Sequence, residues 1–481
     1  VPPTQEVPEV PDPLFPAIHA GSGKEALRFG DRSLTYAGLG AAAGALAAEL
    51  PAGRVAVWAT PTLHTSVAVV AALLAGIPVV PLNPKIGERE LAHILADSSP
   101  AQILAEPGAE LPDGLAGLPR RDIPLEGAGA PPAEPDAETP ALIVYTSGTT
   151  GPPKGVVLPR RAISTTLDAL ESAWQWSAED VLVHGLPLFH VHGLILGILG
   201  PLRRGGSVRH LGRFSLEGVT RELSTGATML FGVPTMYHRI AESVATDEEL
   251  TAALRRARLL VSGSAALPVH DHQRITAATG QQVIERYGMT ETLMNTSVRA
   301  DGERKPGSVG VPLAGVDLRL VDESGAEIDG RDEVGEIQVR GPNLFTEYLN
   351  RPDATVAALD NGWFRTGDMA TRDDDGYVRI VGRKATDLIK SGGYKIGAGE
   401  IENALLEHPG VAEAAVTGEP DDDLGERIVA WVVPAGYRPD AGEVADHVAK
   451  LLAPHKRPRV VRYLDALPRN DMGKIMKRAL G

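Results

Sequence analysis

The chain has no cysteine in its 481 residues. Disulfides, thiolate metal sites and a cysteine nucleophile are therefore excluded, and a reducing compartment fits. Positive charge is also short, with a formal net charge of -15. No global field would draw in a phosphate backbone, so a general nucleic-acid binder is excluded. An anionic substrate would need local cations instead. Long apolar runs are missing too. The most apolar stretch, Val67 to Leu82, is interrupted by Gly76, Pro78 and Pro81. It reads as a buried helix followed by a short strand, not a membrane span. Residues 1–13 are rich in proline and acids and lack the basic, apolar layout of a signal peptide. They read as a flexible lead-in. The expectation is a cytoplasmic protein with no membrane and no nucleic-acid partner.

What is present begins with size. A chain of 481 residues exceeds one ordinary core and predicts at least two domains. Hydrophobic residues at 43% and charged residues at 23% are ordinary for a globular protein. Residues 26–133 alternate short apolar strands with alanine-rich helical stretches. Arg54 to Ala59 reads as a strand, Ser66 to Ala75 as a helix and Ile77 to Val80 as the next strand. This alternation predicts a parallel α/β layer. Residues 126–139, rich in Pro, Ala, Gly and Glu, read as an exposed connection. After Lys390 a new pattern starts: a helix from Gly399 to Leu406, strands at 413–416 and 428–433, and a helix from Gly442 to Leu452. The predicted fold class is α/β. A large N-terminal domain of layered α/β subdomains spans 1–383, and a small mobile C-terminal α+β domain spans 384–481.

The stretch from Ala141 to Gly155 organises the chemistry. Five apolar residues read as a buried strand running into a loop of hydroxyls and glycines that ends in Lys154. Such a loop offers backbone N–H groups, hydroxyls and a cation to an anion. It is not a Walker A loop, because Lys154 follows Pro153 and precedes Gly155. Downstream, Leu167 to Trp176 reads as a helix. A short strand from Val181 then ends in His190 and His192. Zinc binding there would need further ligands nearby, and none is evident. Arg203, Arg204, Arg209 and Arg213 crowd a short segment. They read as a solvated face or as a site for the phosphates of a coenzyme. Arg286 ends an apolar strand. An unpaired buried arginine is costly, and Glu285 points to the opposite face. Its partner is either an internal acid or a carboxylate of the substrate.

Tyr145-Thr146-Ser147-Gly148-Thr149-Thr150-Gly151-Pro152-Pro153-Lys154-Gly155 resembles the phosphate loop of the adenylate-forming superfamily. That family includes acyl-CoA synthetases, luciferases and peptide-synthetase adenylation domains. Five further motifs follow in family order, ending with Pro468 to Lys474. The resemblance implies ATP, Mg²⁺ and coenzyme A as cofactors and co-substrates. Thr146, Ser147, Gly148, Thr149, Thr150, Gly151 and Lys154 would cradle the phosphates. Ser264, Ala265 and Ala266 would lie on adenine, as would Glu285, Tyr287, Gly288 and Met289. Thr290 would bond the α-phosphate, Glu291 with Thr146 would hold the metal, and Asp368 and Arg383 would hold the ribose. Lys474 is the implied mobile catalytic cation, and His190 lies beside the acyl pocket.

Lys390, Ser391, Gly392, Gly393 and Tyr394, with Lys456 and Arg457, are the implied coenzyme A contacts. The family hinge falls between Arg383 and Lys390, with Lys384 and Asp387 as its candidates. Glu285 to Thr292, together with Met294 and His190 to Gly193, resembles the malonyl-CoA synthetase subfamily. That resemblance pairs Arg286, with Ser262 and His192, to the second carboxylate of a small dicarboxylate. Val191 and Met294 would bound its C2 carbon, so methylmalonate fits as well. The alternatives are a ligase for another short acid, a stand-alone adenylation domain and a non-catalytic nucleotide sensor. The intact Lys154, Glu291, Asp368 and Lys474 argue against the sensor. Lys474 is also a candidate target for a lysine acetyltransferase.

Overall fold

The computed structural model describes residues 13–146, 152–331, 333–384, 387–392, 394–470 and 475–480, the side chain of Lys395 excepted. The chain packs into two compact units. The first comprises Val1–Phe231, Thr290–Leu293 and Pro342–Thr355, and the second comprises Gly232–Met289, Met294–Gly341 and Val356–Gly481.

In the first unit, a seven-stranded sheet runs in the order Glu347–Tyr348, Lys154–Pro159, Pro140–Thr146, Val79–Leu82, Val55–Trp58, Gln102–Ala105, Arg120–Asp122. Its four inner pairings, from Pro140–Thr146 to Arg120–Asp122, are parallel. The strands Val55–Trp58, Val79–Leu82 and Gln102–Ala105 are buried at every position. That is why they read as continuous apolar runs and not as alternating ones. Helix Leu63–Leu74 is likewise buried on all sides, as an all-round apolar helix must be.

The stretch Ala141 to Gly155 was expected to be a strand entering a loop. It is one arm of a hairpin: Lys154–Pro159 returns antiparallel, with Thr146 opposite Lys154. The apolar residues Val156, Val157 and Leu158 carry the return strand into the core. A second group of strands in this unit runs Met229–Gly232, Val181–His184, Ser207–His210, Glu25–Phe29, Arg32–Thr35.

Three expectations are corrected here. The helix placed from Leu167 begins earlier, as Arg160–Trp174. Arg160 holds the first turn from inside, bonding the Leu73 carbonyl at 2.6 Å and pairing with Glu134. The strand from Val181 stops at His184, and His192 opens a π-helical stretch, His192–Leu199. Of the arginine run only Arg213 is exposed, and the other three are paired with acids. Arg203 is buried and grips Asp168 through two nitrogens at 2.7 Å each. Arg204 pairs with Asp168 and Glu171, and Arg209 reaches Glu222 at 3.4 Å.

In the second unit, Leu259–Ser262 pairs parallel with Ile284–Met289. A six-stranded antiparallel sheet covers residues 317–383. The C-terminal part forms the expected small α+β domain. Its five-stranded sheet carries helices Ala398–Leu406 and Ala441–Leu451. Ile389, Ile401, Leu405, Ile428, Val432 and Val444 are among the residues of its own apolar core.

Candidate active site

The first unit holds the cationic and metal-binding candidates. Lys154 is fixed by its place at the start of the return strand. Its ammonium lies 4.0 Å from the centroid of the Tyr348 ring. The Tyr348 hydroxyl donates to Glu291 Oε1 at 2.9 Å. Tyr348 and Glu291 are buried, and burial beside the Glu291 carboxylate raises the phenol pKa, so it stays a donor. One ring thus connects the phosphate-loop lysine to the carboxylate of the Tyr-Gly-Met-Thr-Glu-Thr motif.

The turn carrying Glu291 is strained. Leu293 has φ of 50°, a left-handed value rare for a bulky residue. Two bonds hold the turn there: the Phe345 N–H donates to the Glu291 carbonyl at 2.8 Å, and the Asn343 side chain donates to the Thr292 carbonyl at 2.6 Å. Thr290 is buried beside them in sequence. Glu291 and Thr146 present a carboxylate and a hydroxyl, the hard oxygen donors that Mg²⁺ prefers.

His190 and His192 are in the same unit. His190 is half-buried, Val191 and His192 are buried, and Gly193 follows. A Cβ on Gly193 would meet the Pro187 carbonyl oxygen at 2.1 Å, so the backbone crossing there requires glycine. π-Helical stretches such as the one opening at His192 occur often at functional sites.

The second unit holds the nucleotide-face and anion candidates. Arg286 is 5% exposed. Its Nε and Nη2 have no hydrogen-bond partner among the described residues. Burial pulls its pKa down to about 10, so it remains charged at neutral pH. The guanidinium lies against Gly263, where a Cβ would meet Arg286 Cζ at 2.2 Å. Ser262 is fully buried, and its Oγ also lacks a partner. A desolvated cation with two open donors, set against the glycine that follows Ser262 in the chain, suits an anion. Met294 is buried.

Glu285, one residue before Arg286, is different. Its carboxylate accepts the Leu267 and Gly307 N–H groups at 3.0 and 3.2 Å. Burial raises its pKa to about 7, and those two amides oppose the shift. It thereby holds the end of the loop that carries Ser264, Ala265 and Ala266, which are exposed. Ser264 has φ of 76°, a second strained non-glycine position at a predicted contact.

Tyr287 donates to Asp368 Oδ2 at 2.6 Å, and Arg383 Nε lies 3.2 Å from Asp368 Oδ1. Three predicted nucleotide contacts are therefore brought together. Gly288 and Met289, half-buried, complete that strand.

The coenzyme A candidates are arranged less uniformly. Tyr394 is exposed and stacks on His455 at 4.1 Å. Lys390 is exposed, 3.7 Å from Glu323, whereas Ser391 is buried and Gly392 is exposed. Lys456 and Arg457 already face acids, Glu400 at 2.6 Å and Asp446 at 2.9 Å. Of the hinge candidates, Lys384 pairs with Glu336 at 2.9 Å and Asp387 with Lys477 at 2.9 Å. Ser147, Gly148, Thr149, Thr150, Gly151, Gly393 and Lys474 lie outside the described residues.

Sequence reasoning missed Tyr348 and Gly263. Gly263 lies between Ser262 and Ser264, both predicted contacts, so a small-residue signal was present. Tyr348 carried no such signal.

AMP-binding enzymes match this chain over residues 16–349, and the AMP-binding enzyme C-terminal domain matches residues 400–474. A probable CoA ligase of Humulus lupulus is 38% identical over 486 residues, covering 90% of this chain and 80% of that protein. The malonate–CoA ligase of Arabidopsis thaliana is 35% identical over 497 residues, covering 94% and 80%. Among solved structures, a malonyl-CoA ligase in a ternary product complex with methylmalonyl-CoA and AMP is 73% identical, with a TM-score of 0.75, covering 95% of this chain and all of that one. No described helix is long and apolar enough to cross a membrane.

Proposed function

The chain belongs to the AMP-binding enzyme family, and from that premise we infer that it joins malonate to coenzyme A at the expense of ATP. The product is malonyl-CoA, formed through an acyl-adenylate with release of AMP and pyrophosphate. Methylmalonate is a second substrate. The observation that carries the choice of acid is Arg286: buried, charged, and with Nε and Nη2 unfilled. A monocarboxylate would leave those donors empty. A diacid fills them with its distal carboxylate and leaves the other end to react.

In the first step, an oxygen of the near carboxylate attacks the α-phosphorus of ATP and pyrophosphate leaves. Such a step needs positioning and charge neutralisation more than covalent help. Thr146, Ser147, Thr149 and Lys154 steady the leaving phosphates, and Thr290 takes the α-phosphate. Glu291 and Thr146 would hold Mg²⁺, which when bound would neutralise charge on the phosphates. Tyr348 keeps the Glu291 carboxylate aimed. Tyr287, Asp368 and Arg383 hold the nucleoside. Lys474 offsets the negative charge that develops. His190, Val191, His192 and Met294 keep the acyl-pocket roles that the family resemblance gives them.

In the second step, the C-terminal domain, 384–481, turns about the Lys384–Asp387 segment, and the thiol of coenzyme A attacks the acyl carbonyl. AMP leaves as the thioester forms. Acetylation of Lys474 would remove its charge and stop the first step. We place the reaction in the cytoplasm.

A panel of dicarboxylates varied at C2 and matched monocarboxylates, scored by pyrophosphate release and CoA-thioester formation, tests this reading. Malonate and methylmalonate should lead. A monocarboxylate of equal size turning over faster would refute the diacid assignment. Lys474→Ala should lose pyrophosphate release yet still convert supplied acyl-adenylate to thioester.

A further inference from the structure

Helices Pro234–Ser243 and Val269–Thr279 carry none of the residues assigned above. They bring His238, His270 and Asp271 together, with one ligand-type atom of each within 4.8 Å of the others. His238 Nδ1 lies 3.0 Å from Asp271 Oδ2, and His270 Nε2 lies 3.0 Å from Asp271 Oδ1.

The two contacts differ in kind. The first is a formed hydrogen bond. The second is a 3.0 Å ion pair to a buried oxygen, which the imidazole does not meet at a good hydrogen-bonding angle. Ligands on one tetrahedral zinc, with bonds of roughly 2.0–2.2 Å, stand only a little over 3 Å apart. An N···O pair at 3.0 Å is close to the spacing that a common cation imposes on two of its ligands.

Two more features point the same way. Asp271 is fully buried, and a buried carboxylate with an unsatisfied oxygen calls for positive charge. His238 turns its other nitrogen toward Glu242 Oε1 at 3.6 Å. At that distance the pair is an ion contact and not a hydrogen bond, and it adds negative charge beside the imidazole. The side chains of His238 and His270 are 35% and 21% exposed, which leaves an approach for the ion and room for a water.

We propose that His238, His270 and Asp271 form a zinc-type site that clamps these two helices together and is separate from the Mg²⁺ used in adenylation. Two imidazoles and one carboxylate suit Zn²⁺, whereas Mg²⁺ prefers oxygen ligands alone.

The test is a Zn²⁺ titration of the full chain, free of any added histidine tag, by calorimetry, with thermal melts in Zn²⁺ and then in EDTA. The expected result is one Zn²⁺ per chain and a melting temperature that rises with Zn²⁺ and falls back with EDTA. His238→Asn and His270→Gln, at partly exposed positions, should each lower Zn²⁺ affinity by about tenfold or more. Their pyrophosphate release with Mg²⁺ should stay at the wild-type rate. Wild-type protein that takes up no Zn²⁺, or histidine variants that bind it as wild type does, would overturn the site. Loss of Mg²⁺-dependent activity in folded histidine variants would overturn its separateness.

Discussion

Replacing Arg286 with methionine isolates the charge, because the side chain keeps most of its bulk and loses only the guanidinium. In the wild type that group is 5% exposed with two open donors. A distal carboxylate filling them makes a desolvated, charge-assisted pair. Removing one partner of such a pair costs about 3–5 kcal/mol. At about 1.4 kcal/mol per tenfold, malonate kcat/KM should fall between roughly a hundredfold and a few thousandfold.

The same arithmetic has the opposite sign without substrate. The unliganded wild type holds an unfilled, desolvated charge, so the variant should melt at the same temperature or higher. Malonate should raise the melting temperature of the wild type and leave the variant unmoved. The assay is initial-rate pyrophosphate release with malonate and with propionate, at saturating ATP. Propionate turnover should hold or rise, and the KM for ATP should stay within about twofold. An equal loss on both acids would refute the reasoning, because Arg286 would then serve the nucleotide or the fold. Unchanged malonate kinetics would refute it more directly.

Three other outcomes follow from named contacts. Gly263→Ala places a Cβ 2.2 Å from Arg286 Cζ, so the guanidinium must swing aside. Malonate KM should rise at least tenfold in a folded protein, and an unmoved KM would count against the anion receptor. Tyr348→Phe deletes the donor to Glu291 at 2.9 Å; a hydrogen bond to a charged group is worth about 1.5–3 kcal/mol. The Mg²⁺ concentration for half-maximal rate should rise about tenfold while malonate KM holds; the reverse pattern would reject the link. His184 and His210 are buried, each accepting a backbone N–H at Nδ1, from Leu186 at 3.2 Å and Gly212 at 2.9 Å. Burial lowers both pKa values, His210 to about 4. Unfolded chain therefore takes up protons below about pH 6.5 that the fold refuses. Stability should fall as pH drops from 6.5 toward 4, by roughly 3 kcal/mol for His210 alone. Melting curves should show the drop, and His210→Gln should flatten it; an unflattened curve would put the acid sensitivity elsewhere.

The parallel layer could be read from the sequence because doubly buried strands are apolar at every position, as in Val55–Trp58 and Val79–Leu82. Lys154, Asp368 and Arg383 stand out in the sequence because each sits in a short motif whose chemistry is local. What stayed hidden was long-range pairing. Tyr348 reaches Glu291 across 57 residues, and nothing near either one signals the other. Arg203 looked like surface charge because its partner, Asp168, lies 35 residues earlier on another helix. His238 and His270 are separated by 32 positions and meet only once two helices pack. The π-helical stretch at His192 was also hidden, since an apolar run carries no sign of how many residues make a turn.

Glu285 and Arg286 show what finally separates scaffold from site. They are consecutive, an acid and a base, and both buried, at 4% and 5% exposure. Strand alternation sends them to opposite faces. On one face the backbone N–H groups of Leu267 and Gly307 meet the carboxylate, so that charge is already answered and supports a loop. On the other face, two guanidinium nitrogens meet nothing among the described residues. Burial is the same for both, and so is the penalty for leaving a charge unanswered. Any part Glu285 has in nucleotide binding runs through the loop it holds. Arg286 has no internal use that the fold reveals, and a fold that keeps such a group needs an anion from outside. Under the proposed function that anion is the far end of a small diacid, because the guanidinium is set against Gly263 while Tyr287, Asp368 and Arg383 form a separate polar group.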